Sequence, residues 1–217
     1  MTIGHALLMF TLAAGLLTIV PGLDTALVLR TAALEGSRRA MFAGLGICCG
    51  CLAWGLAASI GLGALLSASR LAYTAMRIAG ACYLIFLGTK MLLRKYSPPH
   101  AMDDIAPAAV REAAPIASTR RWFIRGLLTN LLNPKVGVFY VTFLPQFIPA
   151  GVGVIWFGVS LAAIHATEGI IWFALLTVAT RPLSRWLRRP GVATTLERAT
   201  GAVLVGFGLR LALNNHR

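Results

Sequence analysis

The sequence predicts an all-α integral membrane protein with six transmembrane helices, arranged as two inverted three-helix repeats. The first observation is composition, because 58% of the 217 residues are hydrophobic and only 12% are charged. The second is segmentation into apolar runs near 3–29, 41–67, 71–93, 122–148, 152–179 and 199–213. Most of these runs reach the roughly 20 residues that a helix needs to cross a bilayer. None shows the strict alternation that a spanning β-barrel requires, so helices are predicted.

The distribution of basic residues predicts the orientation of these helices. The net charge is +13, yet no aromatic-rich basic recognition motif accompanies it, so nucleic acid is not an expected partner. Fifteen of the basic residues flank the runs on one side and four on the other. By the positive-inside rule, both termini face away from the cytoplasm. The basic segment 181–190, "RPLSRWLRRP", also suits contact with anionic lipid headgroups.

The chain is predicted to form one transporter domain with two halves. Repeat one covers 1–95, a Pro- and Ala-rich cytoplasmic linker covers 96–120, and repeat two covers 121–217. The halves resemble each other at "RIAGACYLIF" (77–86) and "RATGAVLVGF" (198–207), which share Arg, Gly, Ala and Phe at the same spacing. Because each half has three helices, an odd number, the two halves would insert with opposite orientations.

The first helix of each half is predicted to break, at Pro21-Gly22 and at Asn133-Pro134. Proline removes a backbone donor and clashes with the carbonyl one turn earlier. In a bilayer, a broken backbone is tolerated only where protein or water covers it, so both breaks should line a cavity. Matched breaks mark the substrate site in inverted-repeat transporters. Asn133 is a favoured helix cap and Pro134 a favoured first residue, whereas Asp24 or Thr25 is expected to cap the other half-helix.

Three ionisable residues, Asp24, Lys135 and Glu168, lie well inside the apolar runs and should face the bundle interior. Asp24 and Lys135 could handle substrate or form a structural ion pair, and both interpretations stay open. Glu168 shares a helix face with His165 and Trp172 by their spacing. A carboxyl beside an imidazole can take up and release protons. The alternative is a polar contact between helices.

Four cysteines complete the set of chemically distinctive residues. Cys48, Cys49 and Cys51 crowd into "GICCGC", and Cys82 lies in the third run. Small packing residues are the simpler interpretation, because no zinc-type spacing accompanies them. A heavy-metal cation exporter remains the alternative. An intramembrane enzyme is a further alternative, although no G-x-S-x-G or H-E-x-x-H motif is present. No catalytic residue, resident metal or cofactor is predicted.

Several stretches resemble the LysE/RhtB family of bacterial amino-acid exporters, with the threonine and homoserine exporters the most similar. The stretches are "VPGLDTALVLRTAALEG", "GLGICCG", "RIAGACYLIFLGTKMLLR", "GLLTNLLNPKVGVFYVTFLPQFI" and "GAVLVGFGLRLAL". The resemblance covers nearly the whole chain. One difference is Leu23, which stands where the family usually has the second proline of Pro-Gly-Pro.

The resemblance implies proton-driven export of amino acids or close derivatives from the cytoplasm across the bacterial inner membrane. A zwitterion needs partners of both signs in a low-dielectric cavity, so we expect its carboxylate at 133–135 and its ammonium at Asp24 with carbonyls freed by the break. The candidate binding residues are Pro21, Gly22, Asp24, Thr25, Asn130, Asn133, Pro134 and Lys135. The candidate proton-coupling residues are Glu168, His165 and Asp24. The expected partners are the amino acid, protons and membrane lipids, and a homo-oligomer is compatible with the sequence.

Overall fold

The computed structural model describes residues 2–20, 22–68, 70–93, 118–178 and 190–213, and all regular structure in these ranges is helical. The helices are α1 (Ile3–Ile19), α2 (Leu23–Glu35), α3 (Ser37–Ala68), α4 (Arg70–Leu93), α5 (Thr119–Leu131), α6 (Pro134–Val138), α7 (Val154–Val178) and α8 (Pro190–Leu213). This confirms the predicted all-α class. Residues 96–117 of the predicted linker and residues 181–189 of the basic segment lie outside the described residues, as does Pro21.

Within the described ranges, two single helices are long and apolar enough to cross a membrane. They are Ser37–Gly63 within α3 and Val154–Val178, which is α7. Two bent pairs, α1 with α2 and α5 with the segment Pro134–Phe147, also qualify when each pair is taken as one span. Helix α4 contributes a shorter apolar helix, Ile78–Leu93. Length and composition therefore support two to four spans, and the six-span inverted repeat stays a prediction.

Both predicted breaks are present. Helix α1 ends at Ile19 and α2 begins at Leu23, with a bend of 51° between them. Helix α5 ends at Leu131, and the chain resumes at Pro134 with a bend of 55°. The residue before a proline is driven out of the helical region by the proline ring. Val20 and Asn133 precede the two prolines and are accordingly extended, with ψ of 121° and 107°.

The segment after the second break keeps a helical path with changing pitch. Helix α6 is followed by a π-helical turn, Phe139–Phe143, and a 3₁₀ turn, Leu144–Phe147. Its phenylalanine rings pack against one another and against Phe10 of α1, with centroids 5.1 to 5.8 Å apart. This aromatic cluster fixes the second broken helix against the first.

Helix α3 is the centre of the bundle and packs against α2, α5 and α7. A β-carbon on Gly126 of α5 would collide with the carbonyl oxygen of Ala43, so α3 and α5 meet at backbone contact. Helices α4 and α8 also pack closely, because a β-carbon on Gly88 would lie 2.6 Å from the Gly201 carbonyl oxygen. Small residues at such crossings are typical of membrane helices.

Candidate functional site

Residues at both helix breaks line the same cavity. Its walls come from α1, α2, α3, α5, α6 and α7, and its volume is about 40 Å³. A water molecule needs roughly 10–15 Å³ on this measure, so the cavity has room for about three waters. Among the predicted site residues, it is lined by Gly22, Asp24, Thr25, Asn130, Asn133, Lys135 and His165. Pro134 instead lines an apolar groove against α4, on the other side of the break.

One carboxylate oxygen of Asp24 has a hydrogen-bond partner, and the other has none among the described residues. Its Oδ2 accepts a hydrogen bond of 2.9 Å from Nδ2 of Asn130, in the last turn of α5. The Oδ1 atom is buried, and it has no hydrogen-bond partner among the described residues. A buried acceptor without a partner is costly, which makes Oδ1 a ready acceptor for a donor placed in the cavity.

Lys135 connects the two breaks. Its Nζ donates to the carbonyl oxygens of Leu17 and Val20, at 3.3 and 3.5 Å. These carbonyls belong to the last turn of α1, where the break removes the backbone donors that would continue the helix. In this structure they therefore meet the lysine ammonium, whereas the sequence suggested that they would meet a substrate ammonium. The lysine also acts electrostatically on Asp24 across the cavity.

One of the two predicted helix caps is confirmed and the other is wrong. Asn133 caps α6, because its Oδ1 accepts from the Lys135 backbone N–H at 3.1 Å, and Pro134 is the first helical residue. The prediction that Asp24 or Thr25 caps α2 is wrong. Gly22 is the capping residue, with no side-chain bond, and Asp24 lies in the first helical turn. Its carboxylate turns towards Asn130 instead, as the 2.9 Å bond shows.

His165 and Glu168, which the sequence placed on one helix face, meet different neighbours in the structure. His165 is buried and lines the cavity, with its Nδ1 2.9 Å from the Tyr140 hydroxyl. Glu168 is half-buried and faces α1, where a β-carbon on Gly15 would lie 3.6 Å from its Oε1. Its Oε2 is buried without a partner in the described structure. Trp172 packs against the buried cluster around Val28.

Several cavity residues were not predicted as site residues. Cys51 accepts a 3.6 Å hydrogen bond from Asn130, and Cys48, Gly169 and Phe173 form the wall between α3 and α7. Tyr140 was also missed, and nothing in the sequence marks it as the partner of His165. Cys49 and Cys82 are exposed on the helix surfaces. In the described ranges, no three His, Cys, Asp or Glu side chains cluster closely enough to hold a metal ion.

The fold and the site together define an α-helical membrane protein with a charged cavity between two broken helices. The sequence profile of the LysE type translocators matches residues 15–215, so the chain belongs to that family. No solved structure matches the chain.

Several relatives align with this chain over nearly their whole length. An uncharacterized membrane protein of Bacillus subtilis, YrhP, is 31% identical over 97% of this chain and 100% of its own. A threonine efflux protein of Escherichia coli is 29% identical over 89% of this chain and 91% of its own. A leucine efflux protein of Klebsiella pneumoniae is 29% identical over 94% of this chain and 93% of its own. Each of these three matches covers at least 89% of both chains.

Proposed function

We propose that this protein is a secondary exporter of amino acids or close derivatives across the bacterial inner membrane. The observation that carries the proposal is the cavity between the breaks, where an unpartnered oxygen of Asp24 and the ammonium of Lys135 share one small space. The family and the relatives named for threonine and leucine efflux support the same substrate class.

The two charged side chains complement the two ends of an amino acid. A carboxylate and an ammonium enter a low-dielectric cavity only when each is paired and hydrogen-bonded. In the proposed complex, Lys135 and the amide of Asn133 hold the substrate carboxylate. The Oδ1 atom of Asp24 accepts from the substrate ammonium, while Asn130 keeps the other oxygen in place. Lys135 then exchanges its present carbonyl partners, Leu17 and Val20, for the substrate.

Transport requires the cavity to open, because its volume of about 40 Å³ is too small for most amino acids. Six transmembrane helices in two inverted repeats, with both termini external, would allow the two broken helices to open the cavity to one side at a time. The closely packed pair α4 and α8 supports this plan, since it joins corresponding helices of the two repeats.

Proton coupling is the second part of the proposal. Glu168 lies between α7 and α1 with one buried oxygen unpartnered, so a proton could occupy it. Its position beside the first broken helix links its protonation to movement of that helix. His165 and Asp24, which line the cavity, are the other candidate proton carriers.

A growth-inhibition screen tests the proposed function. Cells with and without the chain are exposed to single amino acids and toxic analogues, and intracellular amino acids are measured. We expect resistance and lowered intracellular levels for a set of amino acids only in cells that express the chain. Identical sensitivity to every compound, with the protein present in the membrane, would contradict the proposal.

A heavy-metal cation exporter is the second candidate, because the thiols of Cys48 and Cys51 line the cavity. Replacing Cys48, Cys49 and Cys51 together with Ala decides between the two. Retained amino-acid resistance in this variant, with no change in metal sensitivity, would remove the metal candidate.

A further inference from the structure

We propose that the substrate's side chain binds in a small uncharged subsite between α3 and α7, formed by Cys48, Gly169 and Phe173. The protein would then select amino acids with small, neutral side chains. This inference deepens the proposed function and depends on it. We call these three residues the side-chain subsite.

The side-chain subsite lies beside the charged groups proposed to hold the substrate's head. Cys48 is one helical turn before Cys51, whose sulfur contacts Asn130 at 3.6 Å, and Asn130 in turn holds Asp24. A β-carbon on Gly169 would lie 3.1 Å from the Cys48 sulfur and 3.7 Å from a ring carbon of Phe173. All three residues border the same cavity as Asp24 and Lys135. A side chain leaving the substrate's α-carbon can therefore reach the subsite without leaving the cavity.

Charge restricts what the subsite can accept. Among the described residues that line the cavity, Asp24 and Lys135 are the charged ones, and the substrate's head groups use both. The imidazole of His165 is engaged by the Tyr140 hydroxyl at its Nδ1. A lysine, arginine or glutamate side chain would therefore be buried without a counter-ion, which is strongly unfavourable.

Size restricts it further, and Gly169 sets the limit. Glycine at position 169 leaves the wall between α3 and α7 without a side chain, at a crossing where small residues are typical of membrane helices. The space where its side chain would stand is bounded by the Cys48 sulfur and the Phe173 ring. A methyl group there would take room that the substrate's side chain is proposed to use.

The test measures selectivity, because a purely structural glycine would change all substrates alike. Purified protein in proteoliposomes is assayed by counterflow with alanine, threonine, leucine, lysine and glutamate. Gly169→Ala should lower leucine exchange about 10-fold or more relative to alanine, since one methylene in an apolar pocket changes specificity by about 10- to 200-fold. Cys48→Ala enlarges the subsite and should shift selectivity towards larger side chains. The double variant should return towards the parent.

A matched control is Gly61→Ala in α3, where a β-carbon would meet nothing within 4 Å. It should leave the selectivity of the parent unchanged. If Gly169→Ala fails to insert, Cys48→Ala carries the test alone.

The outcomes separate the two claims. Equal loss for all amino acids in Gly169→Ala, together with unchanged selectivity in Cys48→Ala, would overturn the subsite while leaving the exporter proposal intact. Lysine or glutamate exchange as fast as that of neutral amino acids in the parent would also overturn it. Counterflow with no amino acid in the parent would refute the proposed function itself, and the subsite with it.

Discussion

Replacing Lys135 with Met should abolish substrate binding while leaving the protein folded in the membrane. Methionine keeps the length and apolar stem of the side chain but removes its charge and its donors. The ammonium presently donates to the Leu17 and Val20 carbonyls, which border a cavity with room for water. Water can therefore take over those two bonds, and insertion should survive the change.

The expected loss of affinity follows from the proposed contact with the substrate carboxylate. Truncating one partner of a buried, hydrogen-bonded charge pair costs about 2–5 kcal/mol. At about 1.4 kcal/mol per factor of ten, this predicts an affinity roughly 30- to 4,000-fold lower. Lys135→Arg should keep part of the function, because the charge survives although the shape changes.

Binding to detergent-purified protein and resistance in cells are the two assays for this variant. Lys90→Met on α4 is the matched control, since it makes the same chemical change at an exposed position and should leave affinity unaltered. An affinity for Lys135→Met within a few-fold of the parent, at equal protein levels, would refute the role of Lys135 in binding.

Three further predictions concern coupling, packing and topology. Glu168→Gln should keep counterflow but uncouple efflux from the pH gradient, and gradient-driven efflux equal to the parent's would transfer the proton role to another group, with Asp24 the next candidate. Gly126→Ala should lower the free energy of unfolding in detergent by about 1–3 kcal/mol through overpacking, because the new methyl group meets the Ala43 carbonyl. An unchanged free energy of unfolding would show that α3 and α5 are not in backbone contact. Reporter fusions should score external after residue 150 and cytoplasmic after residues 110 and 187, whereas a cytoplasmic C-terminus would mean that the helices are miscounted.

The local features of this protein could be predicted from its sequence. The breaks at residues 20–22 and 133–134 follow from the steric demands of proline on its neighbours, which require no tertiary information. The Asn133 cap is local in the same sense, because its bond reaches only two residues along the chain. The clustering of buried charge could also be expected, since an unpaired charge facing lipid is too costly.

The contacts between helices could not be predicted in the same way. Asn130 and Asp24 are 106 residues apart, and Lys135 and Leu17 are 118 apart. Their meeting depends on how far each helix is rotated about its axis, which close packing at glycines such as Gly126 decides. The same rotation turns His165 into the cavity and Glu168 towards α1. Spacing placed these two residues on one face of the helix, but it cannot predict which neighbour each side chain meets.

A structural ion pair between Asp24 and Lys135 makes a different forecast from substrate binding. If the pair only stabilises the fold, removing both charges together should restore what either single change loses. The double variant Asp24→Asn, Lys135→Met would then transport as well as the parent. If the two residues bind the substrate's head groups, the double variant should be at least as defective as either single variant.

The most direct test of the central claim is competition by substrate analogues that lack one head group. Deaminated and decarboxylated analogues of the transported amino acid compete for binding to the parent, to Asp24→Asn and to Lys135→Met. The proposed geometry predicts that loss of the amino group weakens binding to the parent and to Lys135→Met but matters little in Asp24→Asn. Loss of the carboxylate should matter little only in Lys135→Met. If both variants discriminate against the two analogues as strongly as the parent does, Asp24 and Lys135 do not hold the substrate.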